Sequence, residues 1–174
     1  MSNLDLSNPN FSNLPSCGDF DFRIARDGTW FYRGSPIGRK SLVHLFSTIL
    51  RREDDGSYWL VTPVERGLIT VDDAPFVAVE MEVRGEGRDQ ILAFRTNVED
   101  WVTADSAHPI RVGIGHDGAP RPYIRVRGAL DALIARPVFY QLVDLAEMRA
   151  QGQRSELGVW SGGTYFSLGF AEAA

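Results

Sequence analysis

The sequence predicts an α+β protein of two lobes, with mostly antiparallel sheets, built from a duplicated hairpin–helix–strand unit. Three observations carry that expectation. I-G-R-K-S-L-V-H-L-F from Ile37 resembles I-A-R-P-V-F-Y-Q-L-V from Ile134, with Ile37, Arg39, Leu42 and Leu45 falling on Ile134, Arg136, Phe139 and Leu142. Each segment is preceded by the same two turn signals, Asp27-Gly28 then Arg33-Gly34 and Asp117-Gly118 then Arg127-Gly128. Each is followed by a strand-like run holding tryptophan, Trp59 or Trp160. One match could arise by chance; the shared order indicates an internal repeat.

The elements follow from periodicity. Phe20 to Ile24 and Thr29 to Tyr32 read as strands around Asp27-Gly28, because both turn residues tolerate positive φ. From Lys40 the spacing becomes helical, with Leu42, Val43, Leu45, Phe46, Ile49 and Leu50 on one side of about three turns. A strand over Ser57 to Thr62 ends at Pro63, and Glu65-Arg66-Gly67 reads as a turn. Leu68 to Val71 and Phe76 to Val83 are strands separated by Asp72-Asp73-Ala74-Pro75, whose composition is that of a turn. Gln90 to Val98 is a further strand, and Ile110 to Ile114 opens a pair. Gly128 to Ala135 reads as a short helix, and Pro137 starts a second, with Val138, Leu142, Leu145 and Met148 on its buried side. Gly158 to Phe170 is a last, glycine-broken strand region. Residues 1–17 are expected to form a flexible arm, 18–75 an N-terminal α+β lobe, and 76–174 a β-rich C-terminal lobe with closing helices.

Composition narrows the function classes. The chain is 44% hydrophobic and 24% charged, enough apolar content for a core and too little charge for wholesale disorder. Its formal charge of −5, with no basic run, argues against nucleic acid as a partner. Lys40 is the only lysine, so every other basic residue is an arginine. Cys17 is alone, which excludes an intrachain disulfide and fits a reducing cytosol. The N-terminus has neither a basic nor an apolar leader segment, and no apolar run reaches membrane-span length. A cytoplasmic protein without a membrane span is therefore expected.

No familiar catalytic motif survives inspection. G-I-G-H-D-G, from Gly113, spells a dinucleotide fingerprint, but the Ala-Pro-Arg-Pro that follows cannot open a helix, so a hairpin turn is expected. His44, His108 and His116 lack metal-ligand spacing, and His44 reads as a packed or surface helix residue. In I-L-A-F-R-T-N-V, period two places Leu92, Phe94, Thr96 and Val98 on one face and Arg95 with Asn97 on the other. A partly covered arginine needs an anion, either a carboxylate (Asp72, Asp73 or Glu65) or a ligand phosphate.

The motifs G-D-F-D-F-R-I-A-R-D-G-T-W-F-Y-R-G-S-P-I-G-R, T-P-V-E-R-G, V-D-D-A-P-F, F-R-T-N-V and G-V-W-S-G-G occur in that order. From about Gly18 to the C-terminus they resemble the bacterial family catalogued as domain of unknown function 1285. The resemblance implies a duplicated core and a C-terminal half superficially like a pleckstrin-homology fold. It also implies a nucleotide-like ligand site at the domain interface and a role in signal transduction. It transfers no catalytic residue.

The expectation is therefore a non-catalytic protein that binds a small anionic, nucleotide-like ligand between its lobes, with no cofactor. Arg39 and Lys40 open the first helix, Thr62 and Glu65 flank Pro63, and Asp72, Asp73, Arg95 and Asn97 come from the middle strands. Arginines suit phosphate, carboxylates suit sugar hydroxyls, and Trp59 or Trp160 suits stacking on a base. Two alternatives belong to other classes. One is a metal-assisted hydrolase using Glu65, Asp72 and Asp73, since hard cations take oxygen ligands. The other is a module that docks a protein partner.

Overall fold

A computed structural model describes residues 11–172, so most of the expected arm lies outside the described residues. The chain divides between Pro75 and Phe76 into two compact units. Both are mostly antiparallel sheet with a single α-helix each, an α+β architecture.

The N-terminal unit runs β1 (Ser16–Ile24), β2 (Trp30–Tyr32), β3 (Ser35–Pro36), α1 (Lys40–Thr48), β4 (Leu50–Arg52), β5 (Tyr58–Val61) and β6 (Arg66–Val71). Its sheet has the order β3-β2-β1-β6-β5-β4. All pairs are antiparallel except the β1–β6 ladder at its centre. The Asp27-Gly28 turn forms as expected, with the Asp27 carboxylate accepting the Thr29 N–H at 3.0 Å. At Arg33-Gly34 both residues are left-handed (φ 49° and 80°), which is the backbone a two-residue hairpin requires. β1 begins at Ser16, so Cys17, assigned to the arm from sequence, belongs to the strand.

Helix α1 packs an aromatic cluster. The ring of Phe46 lies 4.9 Å from Phe22 and stacks at 6.4 Å on Trp30, which is almost fully buried. The helix is shorter than its apolar spacing suggests. Ser47 and Thr48 turn their hydroxyls back onto the carbonyls of His44 and Leu45, both at 2.6 Å, and Leu50 already starts β4. Leu45, expected on the packed side, is 58% exposed.

The C-terminal unit runs β7 (Phe76–Arg84), β8 (Ile91–Thr96), β9 (Trp101–Thr103), β10 (Ile110–Ile114), β11 (Pro120–Arg127), β12 (Leu130–Ile134), α2 (Arg136–Leu145), β13 (Glu147–Gln151), β14 (Arg154–Ser161) and β15 (Thr164–Glu172). The sheet order is β10-β11-β12-β7-β8-β9, with β12 parallel to β7, beside a three-stranded sheet β13-β14-β15. Alternation along β8 is as the sequence predicts, since Leu92, Phe94, Thr96 and Val98 are all buried. G-I-G-H-D-G forms the β10–β11 hairpin turn, closed by Gly115 N–H to Ala119 at 2.9 Å.

Two expectations fail here. Gly128 to Ala135, expected as a short helix, contains strand β12 and no helix. It sits between β11 and β7, so Leu130, Asp131, Ala132 and Ile134 are all buried and show no alternation, and packing overrides the helical bias of Ala and Leu. Helix α2 carries Pro137 in its first turn and buries Val138 and Leu142, but it ends at Leu145. Met148 therefore lies on β13, where it is 54% exposed.

The repeat is visible element by element. β1-β2-β3-α1-β4-β5-β6 corresponds to β10-β11-β12-α2-β13-β14-β15, with the Asp-Gly and Arg-Gly turns in the same hairpins and Trp59 and Trp160 on corresponding middle strands. β7 to β9 form an additional meander. The β1–β6 ladder has no hydrogen-bonded counterpart; β15 lies against β10 but belongs to a separate sheet.

Candidate functional site

The sequence D-F-D-F-R in β1 alternates charge with aromatic side chains. Phe22 goes to the aromatic cluster under α1, and Arg23 to the line of cross-strand neighbours Phe31 and Thr70. β1 does not run straight against β6. Its register shifts twice, between Ser16 and Asp19 and again between Asp19 and Arg23, and Asp21 at the irregularity is left-handed at φ 57°. Such bulges bend a strand and re-aim its side chains. Gly67 allows the bend, because a Cβ there would lie inside the ring of Phe20.

The bend opens a groove of about 370 Å³ lined by Asp19, Asp21, Phe22, Arg23, Arg33, Gly34 and Thr70. Arg33 N–H donates to the Asp21 carbonyl at 2.9 Å, so two left-handed residues are tied to each other at the end of the β1–β2 ladder. The Asp19 carboxylate accepts the Asp21 N–H at 2.7 Å. Arg23 is clamped from behind by Asp72, which accepts Nε at 3.0 and 3.1 Å and Nη2 at 2.5 Å. Two aspartates and two arginines thus line one open space together with Thr70, and the Arg33 guanidinium lies over the Tyr32 ring, 5.2 Å from its centroid.

Asp72 therefore serves β1. The Arg23 guanidinium, by hydrogen bond first and charge second, holds the Asp72 carboxyl below its ordinary value. A depressed carboxyl contributes stability above its unfolded pKa, and that contribution is lost as pH falls through the folded value. Asp27 and Asp55 are lowered too, mainly by hydrogen bonds from Thr29 and Ser57 in their own turns. The N-terminal unit is therefore expected to weaken in acid, below about pH 4. Asp72→Asn should show a shallower loss over that range, read as urea midpoints against pH. Parallel profiles for the two proteins would contradict this.

The other residues singled out from sequence are placed as follows. Asp73 sits beside Arg26, 4.0 Å away. Thr62 builds the turn around Pro63: its hydroxyl donates to the Glu65 carbonyl at 3.0 Å and accepts the Glu65 N–H at 3.1 Å. That turn lies before Arg66, where β6 starts, and not at Glu65-Arg66-Gly67 as expected. The Glu65 carboxylate accepts the Cys17 thiol at 2.8 Å and thereby raises its pKa, which makes the thiol a poor nucleophile. Trp59 donates to Ser57 at 2.8 Å, and the Arg66 guanidinium, itself ion-paired with Glu53, lies 3.9 Å from its ring centroid. Arg39 and Lys40 are exposed at the start of α1. Among the described residues no group of three or more His, Cys, Asp or Glu is arranged to hold a metal ion.

In the C-terminal unit Arg95 is bound by Glu80 at 2.7 Å and Glu99 at 3.2 Å, neither of them a carboxylate the sequence suggested. Asn97 stitches backbone: its side-chain oxygen accepts the Val77 N–H at 2.9 Å, and its own N–H donates to the Val77 carbonyl. Trp160 donates to Glu147 at 2.5 Å and meets Tyr165 edge-on at 5.3 Å, with the guanidiniums of Arg88 and Arg149 at 5.2 and 5.7 Å from its centroid. The groove residues Asp19, Asp21, Arg23 and Arg33 were not among the sequence candidates. The signal that marks Asp19, Asp21 and Arg23 is the period-two placement of charges in D-F-D-F-R, while Arg33 belongs to the Arg-Gly turn signal.

Comparison with known proteins gives one consistent result. Residues 10–74 match the model described as domain of unknown function DUF1285, N-terminal domain, and residues 75–168 the model of the DUF1285 C-terminal domain. A crystal structure of a DUF1285 family protein from Silicibacter pomeroyi DSS-3 aligns with a TM-score of 0.83 and 52% identity, covering 90% of this chain and 83% of that one. A second, from Shewanella baltica OS155, aligns with a TM-score of 0.56 and 27% identity, covering 71% of this chain and 91% of that one. No curated protein matches. No helix among the described residues is long and apolar enough to cross a membrane.

Proposed function

For a chain that belongs to the DUF1285 family, whose models carry no activity, we propose binding of a small anionic, nucleotide-like ligand in the groove of the N-terminal unit. Binding rather than turnover is its activity, in a sensing role within signal transduction. The reading keeps the ligand class expected from sequence. A phosphate would lie against Arg33 and Arg23, whose planar donors suit it, and ligand hydroxyls would donate to Asp19 and Asp21.

The supporting observation is the backbone at Asp21. Asp21 is left-handed within a strand, a conformation aspartate adopts at modest cost, and such backbone clusters where it positions a functional group. Here it falls at a residue of the groove lining whose carbonyl accepts the N–H of Arg33, another lining residue. The supporting test is calorimetric titration of the full chain with nucleoside mono- and diphosphates and inorganic phosphate. Wild-type protein should bind at least one nucleotide, and Arg33→Ala should weaken it by about tenfold to a hundredfold, as for a lost charged hydrogen bond. No heat and no thermal shift across the panel, or equal affinity in Arg33→Ala, would sink the reading.

A further inference from the structure

The sheet edges of this protein are guarded in all places but one among the described residues. β3 is two residues long and includes Pro36; β4 and β9 have three residues each; β10 and β15 lie against each other. Short strands, proline, covering neighbours and charges, lysine above all, are the usual means of keeping an edge from pairing with another chain. β13 has only a pair of opposite charges, Glu147 and Arg149, which repel a foreign strand but not a second copy of this one. Its five residues, Glu147-Met148-Arg149-Ala150-Gln151, are all exposed, contain no proline, glycine or lysine, and pair with β14 in regular register without a bulge.

The sequence of this edge is complementary to itself. In an antiparallel pairing of two copies centred on Met148, Glu147 of each strand stands opposite Arg149 of the other, and Met148 opposite Met148. Opposite charges directly across an antiparallel pair stabilise it. Centring on Arg149 would instead oppose two arginines and centring on Glu147 two glutamates, while centring on Ala150 would leave Arg149 opposite Gln151, so the Met148 register is the one that gains opposite-charge pairs. Both charged side chains are already ordered on one face of the sheet: Glu147 by Trp160, and Arg149 by stacking 4.4 Å from the Tyr165 ring. That ordering lowers the entropy lost on association.

We propose that β13 is a homodimer interface, in which two three-stranded sheets join through antiparallel β13–β13 pairing centred on Met148. The occupant of the edge is a second copy of this chain. The inference stands independently of ligand binding in the N-terminal unit.

Light scattering across a concentration series tests it. The wild-type chain should shift from monomer to dimer. Arg149→Glu, which sets glutamates opposite each other twice, should weaken the dimer by about tenfold or more, and Glu147→Arg with Arg149→Glu should restore it. Cross-linking fixes the register without relying on those variants. In a Cys17→Ser background, Met148→Cys should form a disulfide dimer on mild oxidation, because paired Cα atoms lie about 4.5–5.5 Å apart. Ala150→Cys should not, since two copies of residue 150 would be four rises, or about 13 Å, apart. A wild-type chain that stays monomeric at every concentration overturns the proposal. So does an Ala150→Cys variant that cross-links as well as Met148→Cys.

Discussion

Asp131→Ala is expected to destabilise the C-terminal unit by about 3 kcal/mol, near the lower bound for breaking a buried ion pair. Asp131 sits on the central strand β12 with its side chain 7% exposed. It accepts from Arg125 Nε at 2.6 Å and Arg111 Nη2 at 2.8 Å. Removing the carboxylate leaves two guanidiniums with an apolar neighbour in place of their anion. Both arginines are partly exposed, Arg125 also donates to the Gly128 carbonyl at 3.0 Å, and Arg111 lies over the Tyr123 ring, so each keeps some compensation. That places the cost below the upper bound of the range. Chemical denaturation of the full chain checks it. A loss under about 1 kcal/mol would mean the cluster behaves as a surface pair.

Ser161→Ala should cost about 2–4 kcal/mol, although it removes one oxygen atom. The Ser161 hydroxyl is fully buried, accepts the Leu92 N–H at 2.9 Å and donates to the Ala104 carbonyl at 2.7 Å. It ties β14 of the three-stranded sheet to β8 of the six-stranded one. Alanine would orphan a donor and an acceptor of the main chain in the interior. The next residue is closely packed too, since a Cβ at Gly162 would lie 3.0 Å from the Ala104 carbonyl oxygen. The nearby bond from the buried Gln90 amide to the Trp160 carbonyl, 2.9 Å, belongs to the same seam. Ser161→Ala and Gln90→Ala should therefore combine non-additively in a double-mutant cycle. An effect of Ser161→Ala below about 0.5 kcal/mol would show that the seam relaxes freely.

Local chemistry was legible in the sequence where it is decided locally. Asp27-Gly28 and Arg33-Gly34 determine their turns through the residues themselves, Pro137 marks the first turn of α2, and the alternation of β8 predicts its buried face. The repeat was legible because turn signals and helix starts recur in order. Burial on both sides of β12 erased the pattern that would have revealed it as a strand. Ion pairing was illegible for a different reason. Arg23 and Asp72 stand 49 positions apart and meet only because β1 lies parallel to β6. Arg95 meets Glu80 through a bulged β7–β8 pairing whose register the sequence does not state. The groove depends on the bend of β1, and that depends on Phe20 packing over Gly67, a contact between strands remote in sequence.

The parallel ladders have a kinetic meaning. In each unit the meanders are local, but the sheet is completed only when β1 meets β6, or β7 meets β12, pairs separated by more than half of the unit's residues. Loop-closure entropy must be met before such a pair contributes stability, which slows folding relative to hairpin formation. During synthesis the first strand of each unit must wait, with one edge unpaired, until its partner leaves the ribosome. β1 waits for Val71 and β7 for Ile134. The charges along β1 and the glutamates in the second half of β7 then act as solubilising groups for strands that emerge long before their partners.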